Sequence, residues 1–161
     1  MKKIALLLSM ILLCICLTAC AKQNEAKVSA YDLQKTMLDS DSSLPDMTTV
    51  NSNASDADTL FSYLSDMNYD KVDSYFLAYS SEGLADEVAV IILKDSSDAD
   101  EAEESLKKHV QGRVSLYQSY QPDQVARAER ALVFTEGNYA VLIISDNQKD
   151  IKDAFESEMN K

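Results

Sequence analysis

Apolar residues recur along this chain in two spacings, and each spacing predicts a different element. Ala30, Leu33 and Met37 fall at helical intervals behind Ser29 and Asp32, a capping-box pair, which predicts a short helix over residues 30–38. Leu60, Leu64 and Met67 repeat the pattern behind Ser55 and Asp58 and predict a helix over 57–66. Ala99, Ala102, Leu106, Val110, Val114 and Tyr117 form one stripe along a long helix. Ser97-Asp98-Ala99-Asp100 opens it and Pro122, which has no N–H to donate, stops it. Ile151, Ala154, Phe155 and Met159 mark a final helix.

Between these lie strands, expected at residues 72–79, 87–93, 127–134 and 139–145. Ala89-Val90-Ile91-Ile92-Leu93-Lys94-Asp95 matches Ala140-Val141-Leu142-Ile143-Ile144-Ser145-Asp146, 51 residues later, and each copy reads strand, turn, strand, helix. The near-continuous apolar runs at 88–93 and 140–144 suit central strands, and the mixed runs at 72–79 and 127–134 suit edges. The expected architecture is α+β: a four-stranded, mostly antiparallel sheet from two strand-strand-helix repeats, its helices packed on one face, with one or two extra N-terminal helices. Residues 39–58 are rich in Ser, Asp and Asn, which bond their own backbone, and read as a loop.

The first residues follow neither spacing. Ile4 to Leu17 is apolar throughout except at Ser9, behind Lys2 and Lys3. That run is shorter than the ~20 residues a membrane-crossing helix needs and suits the apolar region of a signal peptide. Leu17-Thr18-Ala19-Cys20 resembles a bacterial lipobox. The resemblance implies cleavage between Ala19 and Cys20 and a diacylglycerol on the Cys20 thiol. Residues 1–19 are then a lipoprotein signal peptide, 20–29 a lipidated cysteine with its tether, and 30–161 a single α+β domain. The protein would be exported and held by acyl chains on the outer leaflet of the cytoplasmic membrane, or on an outer membrane where the host has one. Two or three such chains anchor stably without help from the fold.

Cleavage also removes Cys14 and Cys16, so the remaining 142 residues would carry no free thiol, disulfide or cysteine-metal site. Losing Lys2 and Lys3 takes the formal charge from −12 to −14. A surface so acidic is repelled by phosphate backbones, which argues against nucleic-acid partners.

Several short motifs recur in the order known from one family. They are Leu44-Pro45-Asp46-Met47, Ala85-Asp86-Glu87-Val88-Ala89-Val90, Arg113, Tyr120-Gln121-Pro122 and Gly137-Asn138-Tyr139, behind the lipobox. Together they resemble small bacterial lipoproteins, mainly Gram-positive, that carry a domain of unknown function, the four-three-five-eight family. The resemblance implies an exported, lipid-anchored α+β domain and no particular activity.

Candidate chemistry is sparse. His109 is the only histidine, and no Gly-x-Ser-x-Gly elbow accompanies it. Asp86 and Glu87 stand out among the carboxylates because they begin an apolar strand, and Arg113, late in the long helix, is the expected ion-pair partner of Glu87. Asp39 to Ser43 and Asp95 to Glu101 offer oxygens but neither the glycine nor the terminal glutamate of a calcium loop, so no metal site and no cofactor is expected. With helices on one face only, Tyr75 and Tyr79 would form an exposed aromatic patch on the other. Gly112 sits mid-helix, where it either allows close approach to the sheet or is neutral. No catalytic residue is assigned. The sequence is best read as a non-enzymatic interaction or accessory module with an envelope protein or glycan partner. The alternatives are an envelope hydrolase using paired carboxylates and a small solute-binding lipoprotein.

Overall fold

The computed structural model describes residues 28–161; the expected signal peptide, Cys20 and most of the expected tether lie outside them. Its elements run α1 (Ala30–Asp39), β1 (Met47–Asn51), α2 (Ala57–Phe61), β2 (Val72–Ser80), β3 (Glu87–Leu93), α3 (Ala99–Tyr120), α4 (Val125–Glu129), β4 (Leu132–Glu136), β5 (Tyr139–Ile144) and α5 (Gln148–Met159). The strands form one sheet in the order β1-β2-β3-β5-β4, every neighbouring pair antiparallel.

The fold is α+β with an antiparallel sheet, and it departs from expectation in strand number and in layering. A fifth strand, β1, lies inside the segment read as a loop and pairs with β2 from Met47–Ser80 to Asn51–Phe76, so β2 is not an edge. The stretch expected as a strand at 127–134 divides between α4 and β4, since Val125 and Ala128 turn helically onto the core before the chain extends. Helices cover both faces, not one. α2, α3 and α4 pack on Tyr75, Leu77, Ala89, Ile91, Leu93, Ala140 and Leu142. α1 and α5 pack on Phe76, Ala78, Val88, Val90, Ile92, Val141 and Ile143. The cause is in the strands themselves. All seven residues of β3 and all six of β5 are buried, so successive side chains carry apolar surface to opposite faces and both faces require a lid.

The two matching strands are direct neighbours. Val90 faces Val141, and pairing runs outwards symmetrically to Ala89–Leu142 and Ile91–Ala140, which gives a local two-fold axis through the sheet centre. The symmetry ends at the strands, because α3 covers one face and α5 the other.

Helix starts follow local chemistry. Ser29 Oγ accepts from the Asp32 amide at 3.1 Å, the first bond of the expected box, and donates to the Asp32 carboxylate at 2.6 Å, where a full box would use the Ser29 amide. The other two boxes do not form. α2 begins after Asp56 with no side-chain cap and ends at Phe61. Ahead of α3, Asp95 caps a 3₁₀ turn by accepting from the Ser97 amide at 2.8 Å.

Candidate functional site

α2 packs over β1 while α3 lies over β4 and β5, so the face of β1 and β2 between the two helices is left open. The opening is a cleft of about 660 Å³. Val50, Leu77 and Tyr79 form its sheet side, Leu60 and Tyr63 come from α2 and the turn after it, and α3 contributes His109, Gly112, Arg113 and Leu116. Those four stand at i, i+3, i+4 and i+7, one stripe of the helix. Tyr63 and Leu116 form an apolar rim, 67% and 44% exposed.

Glu87 supplies the polar end. It is the first residue of β3, opposite Tyr79, and its side chain is 2% exposed. His109 Nε2 lies 2.6 Å from one carboxylate oxygen and Arg113 Nε 3.3 Å from the other. The structure therefore places Glu87 and Arg113 together, with His109 as a second nitrogen on the same carboxylate. The Arg113 Nε geometry is that of an ion pair without a hydrogen bond. Arg113 Nη2 donates to the Tyr117 hydroxyl at 2.5 Å, and that hydroxyl donates to the Leu84 carbonyl at 2.7 Å. Burial pushes the Tyr117 hydroxyl above its ordinary pKa, and the adjacent Arg113 charge only partly opposes it. This chain of contacts fastens α3 to the β2–β3 turn.

Asp86 faces other partners. It accepts from Arg127 Nη1 at 2.5 Å, and Arg127 and Arg130 share Asp146 at 2.6 and 2.9 Å. Burial alone would lower the Arg127 pKa, but its two carboxylate partners raise it. The cleft is thus lined by one carboxylate, paired with two nitrogens, and by no serine, threonine or cysteine. The carboxylate pair of a glycosidase needs two such groups across a gap.

The remaining candidates are structural where they are described. Asp41 accepts from Ser145 Oγ at 2.5 Å, Ser43 Oγ at 2.7 Å, the Ser43 amide at 2.9 Å and Asn147 Nδ2 at 3.0 Å. Burial disfavours its charge, yet these donors outweigh burial and hold its pKa at about 2. Asp98 and Glu101 both pair with Lys71. Among the described residues no group of three or more metal-ligating side chains converges, and no helix is long and apolar enough to cross a membrane.

Tyr75 overturns the expected aromatic patch. It is 0% exposed under α2, packs edge-on against Phe61 at 5.1 Å, and donates its hydroxyl to the Ala57 carbonyl at 2.7 Å. The helical layer on that face is what buries it. Tyr79, half-buried, lines the cleft, and the exposed aromatic beside it is Tyr63. The sequence did carry a signal for the rim: Tyr63 and Leu116 are large apolar residues lying off the apolar stripes of the helices expected there.

A family model for a domain of unknown function, DUF4358, matches residues 46–145. The chain belongs to this family. The matched DUF4358 segment holds all five strands, α2, α3 and α4, and every residue lining the cleft. The family description names no activity. No curated protein and no solved structure matches the chain.

Proposed function

We propose that this protein is an exported, lipid-anchored, non-enzymatic binding module whose binding surface is the cleft between α2 and α3. The observation that carries this reading is the cleft's composition: apolar walls, an exposed Tyr63–Leu116 rim, and a single buried carboxylate neutralised by its neighbours. Such a surface removes a ligand from water and orients it with few polar contacts. It offers no nucleophile with an adjacent base. Acyl chains on Cys20 would hold the module at the outer face of the membrane, where an envelope protein, a glycan or a small solute is its partner.

A photo-crosslinking residue placed at Tyr63 in cells tests the surface. Tyr31, 65% exposed and outside the cleft, is the control position. The expected result is an adduct at position 63 that position 31 does not give; identical labelling at both positions would remove the cleft from the account. Incorporation of an alkyne fatty acid, lost in Cys20→Ser, tests the anchor. The cleft volume also favours the solute-binding alternative, since about 660 Å³ falls within the ~300–1,000 Å³ typical of small-molecule sites.

A further inference from the structure

We propose that the cleft takes an amphipathic monocarboxylate, its apolar body laid across Gly112 and its carboxylate at Arg113. This rests on the reading of the cleft as the binding surface and names what fills it. Gly112 lies inside the 22-residue helix α3, where glycine is among the poorest residues for helix stability. No fold requirement explains it. Its φ is not positive, unlike those of Gly83 and Gly137. A Cβ built on it meets nothing within 4 Å, so it allows no close helix–sheet approach either. What the missing side chain does create is a bare stretch of helix in the cleft between His109, Arg113 and Leu116. A helix position that sacrifices stability without local reason is where function is expected to sit.

The ligand's chemistry follows from the surroundings of that gap. Val50, Leu60, Leu77 and Leu116 surround it with hydrocarbon, and Tyr63 and Tyr79 add ring faces, which suits an aliphatic or aromatic body. At the polar end the cation is the accessible partner: the Arg113 side chain is 25% exposed and Glu87 only 2%. Arg113 spends Nη2 on Tyr117 and Nε on Glu87, and Nη1 makes no hydrogen bond to another described residue. Guanidinium donors meet carboxylate oxygens in matched geometry. The head group is therefore an acceptor bearing negative charge.

Isothermal titration of the Cys20→Ser chain with dodecanoate and with dodecanol, both kept below micelle formation, reads the proposal directly. Dodecanoate is expected to bind saturably, one per chain, about tenfold more tightly than dodecanol, which is 1.4 kcal/mol. Arg113→Gln should erase that preference, and Arg113→Lys, which keeps Glu87 paired with a cation, should retain part of it. Gly112→Ala should raise the melting temperature while weakening both ligands about fivefold. Three results would each overturn the proposal. They are no saturable dodecanoate binding, equal affinity for the two ligands, and a stabilised Gly112→Ala that binds as wild type does. If dodecanoate fails while the position-63 adduct persists, the ligand class is wrong and the cleft stands.

Discussion

Asp41 gives the most quantitative test of how this fold is held together. Its carboxylate ties the segment after α1 to the β5–α5 connection, through four hydrogen bonds from Ser43, Ser145 and Asn147. Those donors prefer the charged form and lower the pKa from 3.8 to about 2. At ~1.4 kcal/mol per unit, the shift corresponds to about 2 kcal/mol of folding stability. The folded pKa lies below the unfolded one, so this contribution is complete above about pH 5. It decays as acid protonates the unfolded chain ahead of the folded one, with roughly half gone near pH 3. Asp41→Asn keeps the shape but points an amide N–H₂ at donors and cannot titrate. Urea unfolding of both proteins at pH 7, 5 and 3 measures the difference. The gap between them should be at least about 2 kcal/mol at neutral pH and should shrink by about 1 kcal/mol at pH 3. A gap independent of pH would show that the charge on Asp41 is not what the network stabilises.

A double-mutant cycle at Glu87 and Arg113 should show coupling of about 0.5–3 kcal/mol in urea midpoints, with Glu87→Gln alone costing about 1.5–3 kcal/mol; additive losses would mean the ion pair is incidental. Leu142→Ala, at a fully buried central position, should destabilise by about 2–5 kcal/mol. Tyr120→Ala, 80% exposed at the end of α3, should stay within about 0.5 kcal/mol. Tyr75→Phe should cost about 1–3 kcal/mol by removing the donor to the Ala57 carbonyl. It should also delete from an alkaline absorbance titration the tyrosine that burial pushes up to about 12.

Elements whose apolar residues sort onto one stripe were readable from sequence. α1 buries Ala30, Leu33 and Met37 as its spacing implies, and α3 ends at Tyr120, just before Pro122. β3 and β5 are central, as their unbroken apolar runs suggested. The same runs held a second message that the one-sided arrangement missed, since a strand apolar at every position buries both its faces. β1 was hidden for the opposite reason. Met47-Thr48-Thr49-Val50-Asn51 sends one apolar side chain to each face, Met47 to one core and Val50 to the other, among residues that favour turns. Its partner strand, not its pattern, makes it a strand. At the site, Glu87 and Arg113 could be paired on paper because Glu87 opens one well-predicted element and Arg113 lies within another. The cleft could not be read, because it is a gap: it exists where α2 stops at Phe61, short of the helix expected to run to residue 66.

The two helices on the far face bring the described ends of the chain together. Val28, Asp32, Met159, Asn160 and Lys161 border one hollow, and Thr36 Oγ1 donates to Glu158 at 2.8 Å between α1 and α5. A short linker from Lys161 back to Val28 would therefore close the backbone without crossing the sheet. A circular permutant reopened at the Ser81–Leu84 turn would keep every strand pairing. Cargo fused after Lys161 would ride on the side of the sheet opposite the cleft and leave its mouth open.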